Sequence, residues 1–371
     1  MGKHLVLVGG GHAHMVTLAN ISKFREKGHR VTVIGPSDFH YYSGMGPGML
    51  GGTYTPGEIR FATRHVVEKQ GGTFILAKAE RVDPRSRQVL LDSGQTVDYD
   101  VVSFNAGSHV PRTIVSGDAT DIYSVKPIEK LMEARDRLKE LMSQKSIRVG
   151  IVGGGPSSAE IGGNLWRLAS SNGLHMPKIH IFAGKRYMPR FPERVRKLVI
   201  RSITRRGIAV HEGDYVKGVK TGGITLDSGK TVALDFIFMA LGVRPSGIFE
   251  ASGLPTGPDH GLLVNRYLQC VEHPEIFGGG DCIYFKDSPL DKVGVYAVRQ
   301  NPILYHNLMA GLEGKPLKPF DPGPEYLLIF NLGDSTGVLK KRWLVMDGRV
   351  AFKLKDFIDR KFMKKFQAIE A

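Results

Sequence analysis

Two glycine-rich turns, each directly after an apolar run, decide the fold of this chain. The first lies in LVLVGGGHAH (residues 5–14) and the second in VGIVGGGPSS (residues 149–158). A strand, a tight glycine turn and a helix start together form a cradle for a dinucleotide pyrophosphate, because backbone N–H groups can approach the phosphates closely there. Two such turns predict two dinucleotides in one chain, and the simplest joint use of these is electron transfer between them.

Size and composition agree with a globular protein of more than one domain. The chain has 371 residues, of which 42% are hydrophobic, and 46 are glycine. No run approaches the roughly 18 apolar residues of a membrane-spanning helix. The N-terminus enters the first strand directly, and the two cysteines form no paired pattern. We therefore expect a cytoplasmic protein without a disulfide framework.

A third motif and two crossover segments carry a family resemblance. The motif is PEIFGGGDC (residues 274–282), and the crossovers are YDVVSFNAGS (99–108) and FIFMALGVRP (236–245). With the two turns, they resemble the pyridine nucleotide-disulfide oxidoreductase superfamily over residues 3 to about 320. The resemblance implies an α/β fold with two Rossmann-like dinucleotide-binding domains. The NAD(P) domain is inserted into the FAD domain, and a small C-terminal unit follows.

Shorter stretches resemble one subgroup of this superfamily, the domain often fused ahead of selenophosphate synthetase. They are HAH (12–14), YSGMGPGM (42–49), GVYAVRQ (294–300) and KDFIDRKFM (355–363). More distantly, the chain is similar to type II NADH dehydrogenases and sulfide:quinone oxidoreductases. The implied boundaries are an FAD domain at 1–112 and 247–320, an NAD(P) domain at 113–246, and a C-terminal unit at 321–371.

Local patterns predict several elements. We expect a second strand at 30–34 and a β-meander built from 72–77, 88–91 and 96–97, with turn signals between them. A helix should start near Val293.

The resemblance implies a set of FAD-binding residues, in which Asp281 hydrogen-bonds the ribityl chain. The full set is Gly9, Gly10, Gly11, His12, Ala13, Ser37, Pro47, Ala106, Gly107, Gly280, Asp281, Gly294 and Val295. His14 stands at the third-glycine position, which implies a looser contact between strand and helix. We interpret His12 and His14 as polar residues at a helix start. The second strand lacks the usual terminal acid, so backbone groups, Ser37 or Asp38 are expected to compensate.

The second cradle is expected to bind the nicotinamide nucleotide. Its residues are Gly153, Gly155, Pro156, Ser157, Ser158, Lys185, Arg186 and Gly242. NADH enzymes place a carboxylate after the strand at 178–182, whereas this chain reads AGKR (183–186), which favours NADPH. Nine Lys or Arg lie between residues 185 and 206, so a general basic surface is the alternative.

Two residues are candidates for roles at the reacting rings. Glu160 resembles the family glutamate near the nicotinamide, and Lys292 resembles a lysine near the flavin. Lys292 and a helix N-terminus could both stabilise reduced flavin, although a solvated loop lysine is an equal alternative. Gln300 is the one glutamine left of those that contact quinone in type II NADH dehydrogenases. The 40–50 loop lacks the C-x₄-C pair of the disulfide reductases, and Cys270 and Cys282 are expected to be structural.

The net charge of +15 needs a separate explanation. No nucleic-acid-binding signature accompanies it, so we expect no nucleic-acid partner. Apolar residues at 354, 357, 358, 362, 366 and 369 form a helical stripe among many lysines. This helix either binds an anionic membrane surface, placing the protein at the inner face of the membrane, or packs on the FAD domain or in a homodimer.

These features predict an FAD-dependent oxidoreductase that takes hydride from NAD(P)H. Electrons would leave to a quinone or another small acceptor, without a redox-active disulfide. The alternatives are a flavoprotein that oxidises a reduced sulfur or selenium species, and a non-enzymatic flavin redox sensor.

Overall fold

Two parallel five-stranded sheets form the framework of the computed structural model, which describes residues 2–371. The first sheet contains, in spatial order, Ile276–Gly278, Val101–Phe104, His4–Val8, Arg30–Gly35 and Thr73–Leu76. The second contains, in spatial order, Ile122–Ser124, Phe236–Met239, Arg148–Val152, Lys178–Phe182 and Ala209–His211. In both sheets the middle strand ends at a glycine-rich turn. The predicted α/β fold with two Rossmann-like sheets is confirmed.

The α-helices before residue 70 are short, with four to seven residues each, and most of the later ones are longer. The α-helices are Met15–Leu18, Ile21–Glu26, Gly46–Leu50, Thr63–Lys69, Glu129–Gln144, Pro156–Ser171, Glu193–Thr204, Ile248–Ala251, Gly294–Glu313 and Arg349–Gln367. Single 3₁₀ turns occur at His12–His14, Ser43–Met45, Gly57–Ile59 and Gly280–Cys282. The helix expected near Val293 is present, with Val293 as its N-cap.

Antiparallel sheets of three strands complete the structure. They are Ala79–Asp83 with Gln88–Leu91 and Thr96–Asp98, then Val216–Lys220 with Gly223–Leu226 and Thr231–Ala233, and finally Leu328–Asn331 with Gly337–Lys341 and Leu344–Gly348. Two-stranded pairings join Ser108–His109 to Arg244–Pro245, Leu262–Val264 to Ile283–Phe285, and His40–Tyr41 to Arg60–Phe61. The prediction placed residues 72–77 in the meander and was wrong there. Thr73–Leu76 is instead a parallel edge strand of the first sheet, beside Arg30–Gly35.

Each parallel sheet has its own apolar core, and both receive side chains from other parts of the chain. The 40–50 loop comes after a strand of the first sheet in sequence. Its residues Met45, Met49 and Leu50 nevertheless pack into the core of the second sheet. Phe366, from the end of the chain, packs into the core of the first sheet. Burying apolar surface in this way stabilises the fold and fixes the loop and the C-terminal helix against the two sheets.

The C-terminal helix, Arg349–Gln367, has two different faces. Phe362, Phe366 and Ile369 pack toward the first sheet, whereas Leu354, Phe357 and Ile358 are exposed. The predicted single apolar stripe is therefore divided, because its two halves point into different environments. No helix in residues 2–371 is both long and apolar enough to span a bilayer.

Candidate functional site: two glycine-rich cradles

A cavity of about 410 Å³ lies above the first glycine turn. It extends from the end of the second strand, across the turn, to the start of the helix Gly294–Glu313. Ten of the predicted FAD-binding residues line it: Gly9, Gly10, Gly11, His12, Ser37, Ala106, Gly107, Gly280, Asp281 and Gly294. The structure thus brings together four sequence segments that are far apart in the chain.

The first turn leaves no room for side chains. Gly9 has a φ of +91°, and a Cβ there would lie 2.3 Å from the backbone oxygen of Asn105. At Gly11, a Cβ would lie 2.3 Å from Asn105 Oδ1. Only glycine accepts both the left-handed backbone and this close approach. The backbone is consequently open to the cavity, as a pyrophosphate cradle requires, so the residues present fit a dinucleotide.

Asn105 connects the segments around the cavity and was not among the predicted residues. Its Oδ1 accepts a hydrogen bond from Ala13 N at 3.1 Å, and its Nδ2 donates to the Gly279 oxygen at 2.7 Å. The side chain thereby joins the first turn to the glycines before Asp281. The sequence feature that could have identified this residue is its position, because Asn105 lies in a crossover segment where the family has A-T-G.

His14 stands at the position of the usual third glycine, and its ring forms two hydrogen bonds. Its Nδ1 lies 2.7 Å from the Gly9 oxygen and its Nε2 lies 2.8 Å from Ser103 Oγ. The ring is fully buried, and burial lowers the pKa of His14 to about 4, so the ring is neutral. The sequence predicted a looser contact between strand and helix at this position. The His14 side chain instead connects the turn to the neighbouring strand through its two hydrogen bonds.

Asp281 lies at the far end of the cavity beside a lysine. Its Oδ2 accepts hydrogen bonds from Ser108 Oγ at 2.9 Å and from Lys126 Nζ at 2.8 Å. The side chain of Asp281 is 12% exposed, so the pair is largely shielded from solvent. A carboxylate fixed here can accept hydrogen bonds from hydroxyl groups of a ligand.

At the opposite end, Ser37 lines the cavity and Asp38 does not. Asp38 instead forms an ion pair with Arg64 at 2.8 Å. Of the two residues expected to replace the missing ribose-binding acid, only Ser37 is placed to do so.

Three predicted FAD-binding residues lie outside the cavity lining. Ala13 and Pro47 are buried in short helices, and Val295 is the second residue of the helix that Gly294 begins. Gln300 also has a structural role, because its Oε1 accepts a hydrogen bond from Gly280 N at 2.7 Å and the residue is 1% exposed. These residues position the cavity wall.

Lys292 does not line the cavity, and its role at the flavin stays a prediction. Its Nζ forms an ion pair with Asp259 at 2.7 Å and donates to the Ile283 oxygen. The ammonium group therefore connects two loops of the first half of the fold. Gly294, two residues later, is the part of this segment that reaches the cavity.

The second turn is built on the same plan but is more open. Gly153 has a φ of +145° and packs on Ala240, and a Cβ at Gly154 would lie 2.5 Å from the Ala183 oxygen. By contrast, a Cβ at Gly155 would meet no atom within 4 Å. Gly155 caps a 16-residue helix that starts with Pro156, and Ser157 is exposed. Ser158 is buried and donates to the Gly155 oxygen at 2.6 Å, which fills the third-glycine position.

Lys185 and Arg186 lie next to this turn. The segment before them packs on Gly154, and Met188 N donates to the Gly154 oxygen at 2.7 Å. Lys185 is exposed, while Arg186 pairs with Glu193 at 2.7 Å. Gly242 is also exposed, in the loop after the strand Phe236–Met239. An open cradle with nearby cations suits a nucleotide that enters and leaves.

Part of the basic stretch that follows is committed to ion pairs. Arg196 pairs with Glu212 at 2.9 Å, Arg201 with Asp347 at 2.9 Å and Arg205 with Asp334 at 2.6 Å. The last two pairs connect the helix Glu193–Thr204 and its end to the C-terminal unit. Part of the local charge therefore serves structure.

Glu160 contacts the C-terminal unit, and its place near the nicotinamide stays a prediction. Its Oε1 accepts a hydrogen bond from Asn331 N at 2.9 Å, and burial raises the pKa of Glu160. Nearby, Lys355 Nζ donates to Asp359 at 2.7 Å and to the Gly44 oxygen at 2.9 Å. Burial alone would lower the pKa of Lys355, but the carboxylates of Asp359 and Glu160 hold it above its usual range.

Both cysteines are buried thiols. Cys282 Sγ lies 3.4 Å from the Phe104 oxygen and 3.3 Å from the Gly279 oxygen. Burial raises the pKa of Cys282 to about 11 and also raises that of Cys270. Since the thiolate is the reactive form, neither residue is prepared for redox chemistry.

Comparison with known proteins adds a family and several relatives. The family model described as pyridine nucleotide-disulphide oxidoreductase matches residues 3–307. A type II NADH:quinone oxidoreductase of Staphylococcus saprophyticus is 23% identical, over 99% of this chain and 96% of the relative. Ferroptosis suppressor protein 1 of Taeniopygia guttata is 25% identical, over 72% of this chain and 71% of the relative.

A solved structure shows the same fold along the whole chain. The NDH2 of Plasmodium falciparum in complex with NADH superposes with a TM-score of 0.81 at 14% identity. The superposition covers 100% of this chain and 97% of the other. The C-terminal unit is thus included in the shared architecture.

Proposed function

The chain belongs to the pyridine nucleotide-disulphide oxidoreductase family, and from this premise we propose that it passes electrons from NAD(P)H through FAD to a quinone. It is an FAD-dependent oxidoreductase that uses a nicotinamide nucleotide. The quinone and the absence of a redox-active disulfide are the proposed parts. The observation that carries the proposal is the pair of cradles, one facing a cavity above the first turn and one facing open space at the second.

FAD would lie in the cavity above the first turn. Bound there, it supplies a ring system that accepts a hydride and gives up its two electrons again. The backbone of Gly9–Gly11 would hold the pyrophosphate, and Asp281 the ribityl hydroxyls. The N-terminus of the helix Gly294–Glu313 opens into the cavity without an acidic residue in its first turn. Its free N–H groups would stabilise the negative charge of reduced flavin.

NAD(P)H would use the open cradle at Gly153–Gly155. Lys185 and Arg186 support binding of a 2′-phosphate, so we propose that NADPH is accepted at least as well as NADH. Because Gly155 faces open space, the nucleotide can leave after it has given up its hydride.

A quinone is proposed as the acceptor for two reasons. The relatives include an enzyme named as an NADH:quinone oxidoreductase, and the buried thiols leave no protein group to relay electrons. An aromatic cluster also lies beside the cavity, where Phe362 of the C-terminal helix is 5.5 Å from the ring of His12 and 5.0 Å from that of Tyr42. Flat aromatic surfaces of this kind suit a quinone ring.

We further propose that the outer face of the C-terminal unit rests on an anionic membrane surface. Trp343 is 86% exposed, Val350 66% and Phe357 63%. Val350, Leu354, Phe357 and Ile358 recur at helical spacing, and Lys353 and Lys361 stand next to this face. Apolar side chains flanked by lysines are typical of helices at the bilayer interface.

We also propose the division of the chain implied by the sequence, with an FAD domain at 1–112 and 247–320, an NAD(P) domain at 113–246 and a C-terminal unit at 321–371. The two parallel sheets and the strand pairing between the crossovers support it.

A steady-state assay with different donors and acceptors tests the redox function. We expect NADPH and NADH to support reduction of a water-soluble quinone by the FAD-loaded protein. If sulfide or selenide drives quinone reduction and neither nucleotide does, the protein oxidises sulfur or selenium species instead. If no donor supports turnover, a flavin sensor is the better interpretation.

Co-sedimentation with anionic and neutral vesicles tests the membrane proposal. The full chain should bind anionic vesicles at low salt, and the double variant Trp343→Ser/Phe357→Ser should not. The control variant Leu76→Ser/Tyr215→Ser changes residues of similar exposure elsewhere and should bind normally. Equal binding by all three proteins, or no binding by any, would contradict the proposal.

A further inference from the structure

Two histidines share a hydrogen bond at the wall of the cavity above the first turn. His12 follows the first turn, and His40 lies in the short strand that opens the 40–50 loop. His12 Nδ1 and His40 Nε2 are 3.2 Å apart, with the rings edge to face. Both residues line the cavity.

The second nitrogen of His12 is buried and unpaired. His12 is only 8% exposed, and its Nε2 has no hydrogen-bond partner among residues 2–371. The ring lies in the aromatic cluster, nearly parallel to Phe362 at an interplanar angle of 26°. A buried ring nitrogen without a partner is unfavourable. This nitrogen has less than 1 Å² of accessible surface, so a ligand that pairs with it must displace a neighbouring side chain.

The surroundings keep both rings neutral. Burial lowers the pKa of His40 to about 4 and that of His12 well below its usual range, and Lys126 acts in the same direction. The other charged groups nearby are already paired, Lys126 with Asp281 and Lys355 with Asp359. Tyr42 of the loop donates to Asp359 at 3.0 Å.

A neutral imidazole carries one N–H and one bare nitrogen. In one arrangement of this pair, His40 Nε2–H donates to His12 Nδ1. Neutral His12 then carries its own proton on Nε2. The same two rings can pass a proton in that direction, because each accepts at one nitrogen as it donates from the other.

We propose that His12 gives a quinone oxygen its proton as electrons leave the flavin, and that His40 replaces the proton on His12. The inference rests on the proposed function and names the group that protonates the acceptor. His12 is then a catalytic residue, and His40 is a positioning residue that also resupplies the proton.

The step balances in atoms and electrons. A quinone becomes a quinol by taking up two electrons and two protons. Bound and reduced FAD would supply both electrons and one proton as hydride, and His12 Nε2 would supply the second proton. His12 Nδ1 takes the proton of His40 Nε2, and His40 Nδ1 takes one from solvent water, whose hydroxide is neutralised by the buffer.

The test compares an acceptor that needs protons with one that does not. Reduced, FAD-loaded protein is mixed anaerobically with a quinone or with ferricyanide, which accepts single electrons without a proton. In His12→Phe, which keeps an aromatic ring against Phe362, flavin reoxidation by quinone should slow about 100-fold. Reoxidation by ferricyanide should change less than about twofold, and the solvent deuterium isotope effect of the quinone step should change.

Two further variants make the result specific. His40→Gln retains a donor to His12 but cannot relay a proton, so the quinone step should slow about tenfold. His180→Phe removes a ring from the other histidine pair, whose nitrogens are 3.0 Å apart and which lies outside the cavity. This control should behave like the unchanged protein.

Measurements other than turnover complete the test. The FAD-to-protein ratio and the flavin spectrum of His12→Phe should match those of the unchanged protein, while quinone binding, followed by flavin fluorescence, should weaken. Loss of FAD from His12→Phe would show that His12 binds the cofactor and would overturn the proposal. Equal quinone rates in His12→Phe and the unchanged protein would also overturn it. If quinone fails to reoxidise the unchanged protein while ferricyanide does, the proposed function itself is wrong.

Discussion

The two glycine-rich turns share one plan but differ in what surrounds them. The first is followed by a 3₁₀ turn and a four-residue helix, and hydrogen bonds from Asn105 and His14 hold it in place. The second begins an unbroken 16-residue helix, and its Gly155 faces open space. The first lies below a cavity of about 410 Å³, as suits a resident cofactor, and the second faces open space at Gly155, as suits a nucleotide that exchanges at every turnover.

The largest effect is expected from filling the first turn. In Gly11→Val, the new side chain would collide with Asn105 Oδ1 and occupy the space for the pyrophosphate. We expect the purified variant to retain almost no FAD after gel filtration, as measured by its absorbance. A normal FAD-to-protein ratio would show that the first turn is not the FAD cradle.

Filling the second turn should leave FAD in place. Gly155 has an extended backbone at φ −92°, which valine adopts readily, and no protein atom lies in the way. Gly155→Val should therefore fold and keep its FAD, but the KM for NAD(P)H should rise about a thousandfold, equal to about 4 kcal/mol. Loss of FAD from this variant, or an unchanged KM, would remove the distinction between the turns.

Lowering the pH should reduce the free energy of unfolding, because it protonates His14, which is hydrogen-bonded to the first turn. The folded pKa of His14 is about 4, below the ordinary 6.5, so the unfolded chain binds the proton more readily. The stabilisation is complete above pH 6.5 and is lost as the pH falls toward 4, by about 3 kcal/mol in total. Denaturant unfolding of the unchanged protein and of His14→Gln should show this difference in slope. Parallel pH profiles would contradict it.

The smallest effect is expected from replacing Lys185 and Arg186, which lie next to the second turn. Lys185 is exposed and Arg186 is already paired with Glu193, so both are partly screened by solvent. Lys185→Ala/Arg186→Ala should raise the KM for NADPH about tenfold, equal to about 1.4 kcal/mol. The KM for NADH should change little, and equal changes would assign these residues to general surface charge.

The sequence allowed the central strands and both turns to be predicted, because an apolar run before a glycine turn is a local signal. It did not show which sheet a short strand would join. Thr73–Leu76 is a short, mostly apolar run with turn signals after it, as a meander strand could be, yet it pairs with Arg30–Gly35. Strand pairing is a long-range choice that local patterns do not contain.

The same limit applies to the side-chain contacts of the candidate site. Lys292 and Glu160 have the residue types expected near the rings, but their partners, Asp259 and Asn331, are distant in sequence. Asn105 was missed because its role depends on Ala13 and Gly279, which only the folded chain brings near it. Positions of backbone motifs could be predicted, whereas the direction of individual charged side chains could not.

The central claim is that the first turn holds FAD permanently and the second delivers hydride to it. Anaerobic stopped-flow mixing of gel-filtered protein with NADPH or NADH tests both parts together. We predict that the yellow flavin absorbance of the isolated protein bleaches at a rate that saturates with nucleotide concentration, and that Gly155→Val shifts this saturation to much higher concentration. Flavin that stays oxidised with either nucleotide, yet is reduced by dithionite, would contradict the account.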